Sequence, residues 1–248
     1  MSNKPNTRPA RDTSKRVSEA RGAGSGSNGL LIGGAVAIVL VVALLVAVFV
    51  GRESETVVAQ NDAVLTAEPV SVTGDPLPTF EAGAPDPAVG MTMPTMKGDD
   101  LSGQDLTIGP SGNPQMLVYL AHWCPHCQKE VPELVTWMNE GGNGDVEVRG
   151  VTTGIDPNKP NYPPTKWLHD EGWTVPTLID PSGLAAQASG LSSYPYFIFL
   201  NDQGEVTSRA SGELTIAQID EHLGAARAGS EGPVGTVGPQ GPSSPAEG

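Results

Sequence analysis

The stretch MLVYLAHWCPHCQKEVPELVTWMN, residues 116–139, decides how the rest of the chain is read. Its first part, Met116 to Ala121, is a short continuous apolar run, the pattern of a strand buried on both faces of a sheet. From Pro125 to Asn139 the apolar residues change to helical spacing, at Val131, Leu134, Val135 and Met138, and Gly141 and Gly142 supply a helix stop. A buried strand running straight into a helix begins a β-α-β unit. The only two cysteines, Cys124 and Cys127, fall at that junction.

Moving outward, the same alternation continues. Val146 to Thr152 reads as a strand, Thr165 to Glu171 as a short helix, Thr174 to Ile179 as an extended segment, and residues 184–189 as a turn or two of helix. Tyr196 to Leu200 (YFIFL) is strongly strand-like, Asn201 to Gly204 supplies turn residues, and Glu205 to Ala210 returns as a paired strand. Thr215 to Ala226 closes the pattern as an amphipathic helix with Ile216, Ile219 and Leu223 on one face. The fold class is therefore α/β, a central mixed sheet flanked by helices.

The flanks have other compositions. Residues 30–50 (LLIGGAVAIVLVVALLVAVFV) carry no charge and would make roughly 30 Å of helix, the thickness of a bilayer core. A buried core helix would keep a polar stripe, and a cleaved signal peptide has a shorter apolar region, so the run reads as one uncleaved transmembrane signal anchor. Lys4, Arg8, Arg11, Lys15, Arg16 and Arg21 precede it and only Arg52 follows closely, which puts residues 1–29 in the cytoplasm and the rest outside the cell membrane. Residues 51–88 are acidic and proline-rich and read as a solvated stalk. The folded domain is expected over 89–227, and 228–248, built of Gly, Pro, Ser and Glu, reads as a disordered tail.

With a net charge of −14, nucleic acid is excluded as a partner of the folded part, since phosphates would be repelled. Two cysteines three positions apart cannot staple a fold, so their use is chemical. Cys124 lies at the expected helix start, where unpaired amides and the macrodipole favour a thiolate; Pro125 fits the first turn because it lacks an N–H. Cys127, one turn on, can resolve a mixed disulfide formed at Cys124. His126 adds positive charge when protonated and stabilises the reduced form, which makes the disulfide more oxidising. Half of a zinc site is the rival reading of the pair, but its remaining ligands would have to be His122 and His126, in cramped geometry. The site residues imply no metal and no cofactor.

Taken together, these residues resemble the thioredoxin superfamily over roughly residues 90–226. Trp123 stands before the first cysteine as a tryptophan often does there, and Pro132 matches the proline five residues after the second. Tyr194-Pro195-Tyr196 is similar to the element carrying the family's cis-proline opposite the motif, with Val175-Pro176-Thr177 as its rival. The resemblance implies substrate contacts at Trp123, Tyr194 and Pro195, with Tyr194 offering its backbone to an incoming peptide.

The layout, with an insertion within about residues 153–182, is similar to TlpA-type membrane-anchored thioredoxins. It implies disulfide exchange with exported proteins and a membrane redox partner. Pro125-His126 instead resembles DsbA-type oxidases. The two disagree on direction: TlpA-type proteins mostly reduce, some in cytochrome c maturation, and DsbA-type proteins oxidise. Oxidation is preferred on the dipeptide. A non-catalytic metal-delivery module and a peroxidase are the remaining alternatives, the second lacking its usual residues near Val118 and Ala121. Val118 also stands where many relatives carry a buried acid, while Glu130 and Glu133 read as a solvated helix face.

Overall fold

A computed structural model describes residues 63–237. Among the described residues a helical turn at 63–66 is followed by nine strands and four helices. The strands are β1 (Ser71–Thr73), β2 (Thr95–Asp99), β3 (Asp105–Ile108), β4 (Gln115–Leu120), β5 (Glu147–Thr153), β6 (Thr177–Asp180), β7 (Tyr196–Leu200), β8 (Val206–Ser211) and β9 (Thr236–Val237). The helices are α1 (Pro125–Asn139), α2 (Pro164–Asp170), α3 (Leu184–Ala188) and α4 (Ile216–Ala228).

Six strands form the main sheet in the order β6-β5-β4-β7-β8-β9. β5 lies parallel to β4 and to β6, whereas β7 is antiparallel to β4 and β8, so the sheet is mixed. Every residue of β4 is buried, as the continuous apolar run requires of a strand covered on both faces. Alternate residues serve opposite cores. Met116, Val118, Leu120, Phe197 and Phe199 pack with Val131 and Leu134 of α1 and with Ile219 and Leu223 of α4. Leu117, Tyr119, Tyr196, Ile198 and Leu200 face the other way, onto Val70, Leu77, Phe80, Met93 and Met96. This second layer holds a smaller antiparallel sheet, β1-β2-β3.

That layer corrects the expected stalk. Over 51–88 the sequence reads as solvated, yet Val70, Leu77, Phe80 and Ala88 are buried and β1 pairs with β2. These residues cover the apolar face of the main sheet, and a buried ion pair fastens the segment there. Arg209 of β8, completely enclosed, donates through Nε to Asp86 at 2.7 Å and through Nη1 to the Pro78 carbonyl at 2.8 Å and the Tyr196 hydroxyl at 3.0 Å. Its guanidinium lies over Phe80, 5.4 Å from the ring centre. A charged side chain in the sheet thus demands the lead-in segment as its partner.

The tail differs too: Thr236 and Val237 pair with Ala210 and Ser211 of β8. Residues 1–29, the apolar run 30–50 and residues 238–248 lie outside the described residues. Among the described residues no helix is long and apolar enough to cross a membrane.

Candidate active site

The site begins where β4 ends. Cys124 caps α1 with extended dihedrals (φ −75°, ψ 120°), and Pro125 occupies the first helical turn. The Cys124 amide bonds the Ala121 carbonyl at 3.0 Å, and its own carbonyl accepts the first helical bond, from the Gln128 amide, at 3.1 Å. Both thiols are free. Only 6 % of Cys124 is exposed. Trp123 and Tyr194, stacked edge-to-face at 5.8 Å, pack against the same cluster. An attacking sulfur therefore has a narrow approach.

Position makes the two thiols unequal. A hydrogen bond from the Cys127 thiol, with the amides of Cys127 and His126 and the charge of His126, pulls Cys124 down to about 6 against the opposing effect of burial. Cys127 moves the other way: enclosure leaves it well above the ordinary thiol value. One sulfur is a thiolate at neutral pH and the other holds its proton.

On the far side of Cys124 lies the proline loop. The Tyr194–Pro195 bond is cis, and the Tyr194 carbonyl lies 3.9 Å from Cys124 Sγ. Pro176, the rival, leads into the edge strand with its carbonyl bonded to the Gly150 amide at 2.9 Å. The second cis bond, Tyr162–Pro163, had no sequence signal of its own. Trp123 Nε1 donates to the Gly154 carbonyl at 2.7 Å. Gly154 has φ +61°, and a Cβ there would come within 2.8 Å of the Tyr194 hydroxyl, so only glycine lets these aromatics close over the motif.

The histidines do not converge on the thiols. His122 is buried with Nδ1 2.6 Å from the Pro160 carbonyl, while Nε2 accepts from the Asp156 amide at 3.2 Å; burial holds it below the usual imidazole range. Its work is to pin the 154–163 loop beside Trp123. His126 instead meets Glu213. No group of three or more His, Cys, Asp or Glu able to hold an ion occurs among the described residues.

Glu130 overturns the reading of a solvated face. It is 2 % exposed, and burial drives its carboxyl up to about 8. Its hydrogen-bond support is the Leu214 amide, 3.3 Å from each oxygen, and when it ionises its charge adds to the influences that keep Cys127 protonated. The signal was in the spacing: 127, 130, 134 and 137 form one stripe of α1, and Cys127, Leu134 and Trp137 are all buried. Glu133, off that stripe, is exposed as expected. A buried acid is thus supplied from the helix, where Val118 on β4 supplies none.

Comparison with known proteins agrees with this geometry. The sequence pattern of the Redoxin family matches residues 73–223. The chain is 24 % identical over 122 residues to the sporulation thiol-disulfide oxidoreductase A of Bacillus subtilis, spanning 49 % of this chain and 73 % of that protein. It is 28 % identical over 140 residues to the thiol-disulfide oxidoreductase ResA of Geobacillus thermodenitrificans, spanning 55 % and 76 %. A hypothetical protein of Sinorhizobium meliloti superposes with a TM-score of 0.53 at 15 % identity, over 60 % of this chain and 89 % of that one, which shows the shared fold.

Proposed function

Given that this chain belongs to the redoxin family, a branch of the thioredoxin superfamily, we propose that it is a membrane-tethered thiol–disulfide oxidoreductase that exchanges disulfides with exported proteins and runs toward oxidation. The observation that carries this reading is the inequality of the two thiols, one held near 6 at a helix start and the other buried a turn away. The tether rests on the apolar run 30–50 and the basic residues before it.

In the oxidising direction a substrate thiolate attacks Sγ of Cys124 in the Cys124–Cys127 disulfide. A bond forms between substrate and Cys124, the Cys124–Cys127 bond breaks, and Cys127 leaves with the electron pair. A thiolate of such high proton affinity is a poor leaving group unless a proton reaches it. Glu130, still protonated at neutral pH, is placed to supply one. A second substrate thiolate then attacks the substrate sulfur of the mixed disulfide and expels Cys124, which leaves easily because its thiolate is stable. Two electrons have passed from substrate to protein; a membrane redox partner bearing a disulfide takes them away. Beside Cys124, the Tyr194 carbonyl offers an edge on which an extended substrate segment docks.

Reduction is the second reading, and one observation favours it: a thiol near 6 lies closer to the thioredoxin value of about 7 than to the DsbA value of about 3.5. The reduction potential of the full-length chain in detergent decides between them. A value near about −120 mV supports oxidation, and one near about −270 mV reverses the direction. Cys124→Ser must abolish both insulin reduction and oxidation of a reduced protein; if it spares either, the dithiol is not the active group.

A further inference from the structure

Glu213 lies 87 residues from His126 in sequence, in the turn that joins β8 to α4. The turn is fastened to the site on both sides. The Gly212 amide donates to the Pro195 carbonyl at 2.9 Å, and the Leu214 amide points at both oxygens of Glu130. Between them, Glu213 Oε1 lies 2.7 Å from His126 Nδ1 and Oε2 accepts from Lys129. The Glu213 side chain is only 13 % exposed, so this acid is set against the motif rather than waving in solvent.

The chemistry of the contact fixes the ring. Burial alone would raise the Glu213 carboxyl, but the bonds from Lys129 and His126 outweigh it and keep the group below the usual carboxylate range. An ionised carboxylate only accepts, so Nδ1 of His126 must carry the proton. A second proton, on Nε2, then makes an imidazolium whose charge is neutralised at one edge by Glu213. The other charged side chains that interact with Glu213 are Lys129 and Glu130, both on α1.

We propose that Glu213 is a positioning residue that acts through His126, holding the ring by its Nδ1 edge at the helix start beside Cys124, and so biases the dithiol toward its reduced state. The proposal rests on the dithiol-exchange reading. Its sign is informative. By its own negative charge, acting directly, Glu213 would destabilise the Cys124 thiolate; acting through His126 it stabilises that thiolate.

The test uses the full-length chain in detergent, as wild type, E213Q, E213D, H126A and H126A/E213Q, each checked by thermal melting. Two readouts are taken. One is the pH dependence of iodoacetamide alkylation at Cys124. The other is equilibrium with glutathione, in which the protein disulfide and two glutathione thiols give the protein dithiol and one glutathione disulfide, two electrons and two protons passing to the protein. E213Q is expected to move the alkylation midpoint to higher pH and shift the glutathione equilibrium about threefold toward the protein disulfide, roughly 14 mV at about 29.6 mV per tenfold. E213D should restore most of both, and E213Q should have no effect in the H126A background. A shift of E213Q in the opposite direction, or one of equal size without His126, overturns the proposal. If the wild-type disulfide fails to exchange with glutathione at all, the dithiol reading falls first and the proposal with it.

Discussion

Two of the buried ionisable side chains, Arg209 and Glu130, lie on opposite faces of the main sheet, and they are treated in opposite ways. Arg209 has a carboxylate, two carbonyls and a phenol around its guanidinium, with Asp86 taking both Nε and Nη2. Glu130 has one backbone amide at 3.3 Å from each oxygen. A buried ion with every donor engaged is bound into the fold and stays charged. A buried acid with a single long hydrogen bond gives up its charge instead and becomes a proton store. The first arrangement belongs to architecture, the second to chemistry.

The sharpest way to break that contrast is to remove the partner of the arginine. Asp86→Asn leaves Arg209 enclosed with a neutral neighbour, and removing one partner of a buried pair costs about 3–5 kcal/mol. Urea unfolding is expected to show a loss of this size, with an unchanged reduction potential for the folded fraction. A potential that moved with it would join the lead-in segment to the redox site and end the division of labour between the faces.

Glu130→Gln probes the other half. Its proton affinity is higher folded than unfolded, so the folded chain binds more protons between pH 4.5 and about 8, and stability falls as pH rises through that window. Glutamine abolishes the effect: the variant should gain about 4 kcal/mol over wild type at pH 8 and nothing below pH 4. The same change should slow the step in which Cys127 leaves or attacks, by about 10²-fold if the carboxyl acts as general acid. Stopped-flow mixed-disulfide kinetics beside urea melts at pH 5 and 8 would check both. A rate unchanged alongside the stability gain would make Glu130 a mere structural acid.

The contrast also explains what could be seen in the chain before its structure. β4, α1 and β7 were legible because their apolar residues repeat at one local period, and Trp123 to Cys127 sits where strand period gives way to helix period. The lead-in was not, since Val70, Leu77 and Phe80 follow neither period and lie among prolines and acids. They pack on residues of β4 and β7, and Arg209, far along the chain, bonds the same segment. Glu130 was visible in spacing but discounted by charge. The link between His126 and Glu213 had no local signature at all, being a contact made by topology. Local pattern thus revealed the Cys124–Cys127 pair at its strand-to-helix junction, whereas the contacts of Glu213 and Arg209 are made between distant segments.

A third buried ionisable group gives the mirror image of Glu130. His222 of α4 is enclosed, stacked on Phe199 at 4.5 Å, with Nδ1 2.8 Å from the Ser208 hydroxyl, and burial lowers it to about 4. The unfolded chain takes up protons first, so stability is full above pH 6.5 and declines toward pH 4, by about 3 kcal/mol. His222→Phe keeps the stacking and removes the proton site; the difference between wild type and variant in urea should shrink as pH falls from 7 to 4. With Glu130 costing stability as pH rises above 4.5, the two slopes oppose each other where the windows overlap, and the wild type has a broad optimum at about pH 4.5 to 6.5.

The smallest effect lies at the hinge between the regions. Thr215 caps α4 by accepting from the Gln218 amide at 3.3 Å, and the Gln218 side chain returns a bond to the Thr215 amide at 2.9 Å. Thr215→Ala should lose about 1 kcal/mol in urea, the ordinary worth of a cap. Because Thr215 follows the Glu213–Leu214 turn directly, looseness there reaches both the carboxylate that holds His126 and the amide that supports Glu130. If the cap matters only to the helix, the Cys124 alkylation profile of Thr215→Ala overlays that of wild type. If the turn carries the charge arrangement of the site, the profile moves the way E213Q moves it, by a smaller amount.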